Sequence, residues 1–222
     1  MGGERWATFD CYGTLIDWRA GISAELARLF GAQHAGRLLE RYHELEPEVE
    51  RESPSLSYRD VMREVLGRLA LEEALALPQA DADTLAGSLP GWQPFPEVPR
   101  ALEAVRRRGW KLALLSNTDS DLLAASREQF GVPVDASVVA SEIGSYKPAP
   151  GHWERFFAET GADPERHVHV AQSHSHDIVP ASGLGLTTVW INRLGETAEP
   201  PPTRELPDLR RLPETLDELV PE

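Results

Sequence analysis

The chain has 222 residues, 41% hydrophobic and 26% charged, which suits one large domain or a core domain carrying a smaller insertion. A formal net charge of −14 disfavours phosphate backbones and so excludes nucleic acid as an expected partner, while a small anionic substrate in a locally positive pocket stays open. With no run near the ~18 apolar residues of a membrane span, no apolar N-terminal signal region and one cysteine, the expectation is a cytoplasmic chain without membrane partner or disulfide framework.

Trp6-Ala7-Thr8-Phe9-Asp10 reads as a short buried strand, and Gly13 marks a turn after it. From Asp17 to about Leu89 apolar residues recur at helical spacing, as in Leu38, Leu39, Tyr42 and Leu45, then Val61, Val65 and Leu69. Pro47, Pro54, Pro78 and Pro90 are expected to punctuate these helices. The texture changes past Pro94, Pro96 and Pro99. A helix over Val98 to Arg108 is predicted to end at Gly109, followed by a buried strand over Lys111 to Leu115 and a turn at Ser116-Asn117-Thr118. A helix over Ser120 to Gln129 leads to a strand near Ala136 to Ala140. Another helix follows Pro148, with a strand at His167 to Ala171. A short helix after Asp177, a strand at Thr187 to Ile191, a Pro-rich loop over Glu196 to Pro202 and a helix over Thr215 to Val220 complete the chain. Strands alternating with helices predict an α/β fold: a Rossmann-like core with a parallel sheet flanked by helices, from residues 1–15 and 92–222, plus an inserted all-helical cap at 16–91.

Ligands of such sheets sit beyond the carboxyl ends of the strands. Those ends deliver Asp10, Ser116-Asn117 and the loop from Gln172 to Asp177, and Lys147 precedes a helix on the same rim. Four polar segments are therefore expected to converge on one site. Lys147 stands out because the chain has twenty Arg and two Lys, so a retained ammonium is a hint of function.

Phe9-Asp10-Cys11-Tyr12-Gly13-Thr14-Leu15 presents a carboxylate at a strand end before a glycine turn, and it resembles the first motif of the haloacid dehalogenase superfamily. Leu114-Leu115-Ser116-Asn117, Ser145-Tyr146-Lys147-Pro148 and the stretch His169 to Asp177 are similar to the second, third and fourth motifs. The resemblance spans nearly the whole chain and is nearest to the 2-haloacid dehalogenases, through Tyr12. In the superfamily's phosphatases that position usually holds a second Asp to protonate the leaving group, which a phenol does poorly and a halide does not need. Gln172 likewise replaces the first acid of the fourth motif, which weakens a Mg²⁺ site on Asp10 and Asp177.

The resemblance implies hydrolysis of a short (S)-2-haloacid to the 2-hydroxy acid through an aspartyl ester, with no cofactor. Asp10 is then the nucleophile, supported by Thr14 and Lys147, and Asp177 assists the hydrolytic water. Ser116 binds the substrate carboxylate, Arg41 and Asn117 receive the halide, and Tyr12 and His174 line the pocket. Trp153 stands where the family often carries Tyr, and Cys11 is read as packing. His167, His169, His174 and His176 are read as supporting residues in preference to a zinc site. A Mg²⁺-dependent phosphatase with Asp10 and Asp177 as metal ligands, and a non-catalytic ligand-binding protein, are the alternatives. A homodimer follows from the resemblance alone.

Overall fold

The computed structural model describes residues 3–197 and 199–222; Met1, Gly2 and Ala198, which fall in the N-terminal run and in the expected Glu196–Pro202 loop, lie outside the described residues. Strands β1 (Arg5–Phe9), β2 (Trp110–Ser116), β3 (Ala136–Val139), β4 (His167–Ala171), β5 (Thr187–Ile191) and β6 (Arg204–Leu206) form one sheet. Their order is β3-β2-β1-β4-β5-β6, and each pairing is parallel.

Side chains alternate across this sheet as the two-residue strand period requires. Ala7, Phe9, Leu112, Leu114, Val168, Val170, Val189 and Ile191 join the larger core cluster. It also takes in the apolar face of α5 (Val98–Arg107) and Leu212 and Leu216 of α10 (Leu212–Leu219). Trp6, Ala113, Leu115 and Val138 fall in a second cluster with Trp153 and Phe156 of α8 (Gly151–Thr160). The remaining core helices, α6 (Ser120–Arg127), α7 (Ala140–Ile143) and α9 (Val179–Gly183), are short.

Between β1 and α5 run α1 (Trp18–Phe30), α2 (Ala32–Glu52), α3 (Tyr58–Glu72) and α4 (Thr84–Ser88). Asp17 caps α1 by accepting from the Ala20 N–H at 3.0 Å, and Gly31 ends it at φ 94°. Ile22, Leu26, Leu38, Leu45, Val61, Val65 and Leu69 from these helices are buried in the same cluster as the sheet's first face. No described helix is long and apolar enough to cross a membrane.

Two expectations shift. Pro47 lies inside α2 and does not interrupt it, because Leu45 and Val49 on either side are both buried and hold the turn in register. The edge strand β6 had no visible signal, since Arg204-Glu205-Leu206 has no fully buried residue. Its order comes from pairing with β5.

Candidate active site

The strand order reverses at β1, so the crevice beyond β1 is where an open sheet binds its ligand. Phe9 is level with Leu114 of β2 and Val170 of β4, which places Asp10 beside the ends of both neighbours. The Asp10 N–H donates to the Val170 carbonyl at 3.1 Å. Gly13 then turns the chain at φ 96°. A Cβ there would lie 3.0 Å from both the Gln172 amide oxygen and the Trp18 indole nitrogen.

At the centre, Lys147 Nζ donates to Asp10 Oδ1 at 2.9 Å, to Asp177 Oδ1 at 2.6 Å and to the Leu115 carbonyl at 2.8 Å. Thr14 Oγ1 donates to Asp10 Oδ2 at 2.9 Å and accepts from the Gln172 N–H at 2.9 Å. Lys147 is 2% exposed and Asp177 1%, so three charges share a nearly dry site. Burial works against the Lys147 ammonium, but the two carboxylates outweigh it and hold the amine protonated. Burial also opposes ionisation of Asp177, yet Lys147 and His169 draw it down to about 2. Asp10 moves the other way: burial, joined by the charge of Asp177, raises it above the ordinary carboxylate range against the pull of Lys147.

Asp177 arrives on a wide turn over His174–Ile178, in which the Ile178 N–H reaches back to the Ser173 carbonyl at 3.3 Å. A chain of hydrogen bonds holds it from behind. His169 Nε2 is 3.0 Å from Asp177 Oδ1, Thr8 Oγ1 is 2.8 Å from His169 Nδ1, and His167 Nε2 is 2.8 Å from Thr8 Oγ1. A carboxylate accepts only, so His169 donates through Nε2 and accepts through Nδ1. Thr8 therefore donates to His169 and accepts from His167. The β1–β4 register sets Thr8 against His169 on the face that packs on Trp153, whose ring meets His169 edge-on at 5.2 Å.

A cavity of about 1020 Å³ opens beside Asp10. Tyr12, Ser116, Asn117, Lys147, His174 and Asp177 all line it. The Ser116 hydroxyl is fully buried without a hydrogen-bond partner among the described residues. The Asn117 amide accepts from the Lys147 N–H at 2.7 Å and donates to the Lys147 carbonyl at 3.1 Å, bracing that loop. Tyr12 is not suited to act as an acid here. Its hydroxyl is 3.1 Å from Ser126 Oγ, and burial pushes the phenol far above its usual value. His174 meets Trp190 at 5.2 Å and donates to the Pro200 carbonyl at 2.9 Å.

Arg41 is a correction. It does not line the cavity; its guanidinium bonds Glu72 at 2.8 and 3.0 Å and Glu44 at 2.9 Å on the exposed side of α2. The cavity-facing positions of α2 are His43, Glu46, Pro47 and Glu50, and Arg41 lies roughly 160° around the helix from His43. The arginines that do line the cavity are Arg19 and Arg193. Arg19 was legible only as the residue after Trp18 at the start of a helix. Arg193 follows β5, where the strand-end rule would have pointed.

A hard cation such as Mg²⁺ needs about six oxygen ligands. Here both acidic Oδ1 atoms face the Lys147 ammonium, a glutamine stands at residue 172, and among the described residues no group of three or more His, Cys, Asp or Glu could hold a metal. This arrangement offers a hard cation few anionic oxygens.

The fold and site define a parallel α/β enzyme core with a buried Asp–Lys–Asp centre at the switch point of its sheet. The chain belongs to the haloacid dehalogenase-like hydrolases, whose family model matches residues 5–185. It is 27% identical to "(S)-2-haloacid dehalogenase 4A" of Burkholderia cepacia over 98% of this chain and 94% of that protein. It is 31% identical to "Phosphoserine phosphatase" of Thermus thermophilus, over 68% of this chain and 63% of the other. The solved structure of the "L-2-Haloacid Dehalogenase RSc1362" superposes with a TM-score of 0.87 at 24% identity, covering 97% of this chain and 100% of that one.

Proposed function

We propose that this hydrolase dehalogenates a short (S)-2-haloacid through an ester on Asp10. The observation that carries the reading is the buried Asp10–Lys147–Asp177 centre, with Tyr12 and Gln172 in place of further acids. The relative named a haloacid dehalogenase supports it. One Asp10 carboxylate oxygen attacks C2 of the substrate, and the carbon–halogen bond breaks with its electron pair leaving on the halide. No proton is needed by that leaving group. Water then attacks the ester carbonyl carbon of Asp10, with Asp177 taking its proton. The Asp10 carbonyl–oxygen bond to the substrate breaks and the proton passes to the departing alkoxide, giving the 2-hydroxy acid. Lys147 balances the charge of both carboxylates throughout. Ser116, which lines the cavity and whose hydroxyl has no partner among the described residues, takes a substrate oxygen. Residues 16–91 act as a cap whose α2 closes the cavity over Asp10.

Halide release from each enantiomer of 2-chloropropionate, measured without added metal, tests the reaction. In ¹⁸O water one turnover is expected to leave label in the Asp10 carboxylate, and Asp10→Asn to lower turnover at least 10³-fold with its fold retained. Phosphate release from phosphoserine that requires Mg²⁺, with no halide release, would replace this reading with a phosphatase.

A further inference from the structure

Two carboxyl groups in the cavity have no basic partner. Glu46 and Glu50 stand one turn apart on α2 and both line the cavity. Glu46 accepts from the Tyr58 hydroxyl at 2.8 Å and the Tyr42 hydroxyl at 3.4 Å; Glu50, 7% exposed, has the Asn117 amide at 3.4 Å. Among the described residues neither has a Lys, Arg or His within salt-bridge distance, although the cavity holds three cations. All three are already engaged: Lys147 with Asp10 and Asp177, Arg19 with Glu40, and Arg193 with Glu97.

A buried acid is ordinarily paired, because removing it from water without a partner is costly. Burial raises the Glu46 carboxyl, and burial joined by the charge of Glu46 pushes Glu50 up to about 9. A second observation points to a ligand in the same space: Ser116 also lines the cavity, and its buried hydroxyl has no hydrogen-bond partner among the described residues. A haloalkanoate bearing only a carboxylate leaves Glu46 and Glu50 unmatched and meets no free cation. An amine-bearing molecule pairs with them and releases their proton to solvent.

We propose that Glu46 and Glu50 are specificity-determining residues that select a substrate carrying an ammonium group besides the centre that reacts at Asp10. This rests on the cavity beside Asp10 being the substrate site, and it narrows the substrate class to amino-substituted 2-haloacids. Carboxyl groups that stayed neutral would instead donate to a carboxylate, and the test separates these signs.

Calorimetric titration with two unreactive probes, butyrate and 4-aminobutyrate, reads the selection directly. The wild-type protein is expected to bind 4-aminobutyrate at least about tenfold more tightly than butyrate, and a Glu46→Gln/Glu50→Gln variant to bring the two within about threefold. Glutamine keeps the shape of each side chain, and the wild-type comparison decides even if the variant does not fold. Butyrate binding as tightly as 4-aminobutyrate, neither probe binding, or a preference that survives in a folded double variant would each overturn the proposal. Halide release from 2-bromopropionate and 2-bromo-4-aminobutanoate separates the two readings. Release with no preference for the amine sinks the selection alone. Amine selection with no halide release from either compound sinks the dehalogenase alone.

Discussion

Asp177 Oδ1 accepts from Lys147 Nζ and from His169 Nε2, and the two donors do different work. Lys147 reaches both acids, whereas His169 touches Asp177 alone. In the ester mechanism only hydrolysis of the ester depends on how Asp177 is aimed. His169→Phe is therefore expected to slow that step by about 10²-fold, within the range of a misplaced general base, while alkylation of Asp10 continues. Rapid-quench mass spectrometry should show the Asp10 adduct accumulating. His169→Gln, which returns an N–H near Asp177, should restore part of the rate. A fall in turnover with no accumulating adduct would rule out this role. Lys147→Met removes the shared cation and leaves two buried carboxylates facing each other, a loss of about 3–5 kcal/mol by urea denaturation. The remaining acids then hold a proton in the folded state above their unfolded pKa. Folding stability of this variant should accordingly fall as pH rises from 5 to 8, the opposite of a paired carboxylate.

At the scale of elements, helix α1 is tied to the cavity wall by a close approach. A Cβ on Gly21 would lie 2.5 Å from three atoms within the Trp92 indole, which is 5% exposed and meets the Tyr12 ring edge-on at 6.1 Å. An alanine in mid-helix ordinarily gains about 1 kcal/mol over glycine. Here the overlap outweighs that, so Gly21→Ala is expected to destabilise by about 1–3 kcal/mol and to shift Trp92 fluorescence. Unchanged stability would show that Trp92 moves freely. The strands and helices that place Asp10, Ser116, Lys147 and Asp177 were legible because buried strands announce themselves as short apolar runs and their ends carry the polar residues. The direction Arg41 faces is hidden in the sequence for a reason of the same scale. A sequence motif fixes a position along α2 but not which side of the helix faces the sheet, and that is set by Leu38, Tyr42, Leu45 and Val49 packing inward. Glu46 and Glu50 carry no signal in the sequence, because acids on a helix ordinarily face solvent. The Thr8–His169 contact needed the β1–β4 register, which pairs residues 161 positions apart.

Across the whole molecule, buried titratable groups pull the pH dependence of folding in opposite directions. Burial lowers His167 to about 3 and His152 to about 4, with Lys147 adding to the effect on His152. In the unfolded chain each takes up a proton near pH 6.5, so these two histidines favour folding above that pH and withdraw their support as pH falls toward 4. Glu50, at about 9 in the folded protein, acts with the reverse sign: the native state binds a proton that the unfolded chain releases above about 4.5. Its contribution is full in acid and is lost as pH rises through 9. The wild-type curve therefore sums opposing slopes below about pH 6.5, above which the histidines no longer contribute, and single variants separate them. Relative to wild type, His167→Gln should gain about 1.4 kcal/mol per pH unit as pH falls from 6.5 to 4, and Glu50→Gln should lose a similar amount per unit as pH falls from 9 to 5. Urea denaturation of the three proteins at pH 5, 6, 7 and 8 measures both differences. Parallel curves for wild type and Glu50→Gln would mean that Glu50 folds in its ionised form, with a counter-charge already beside it.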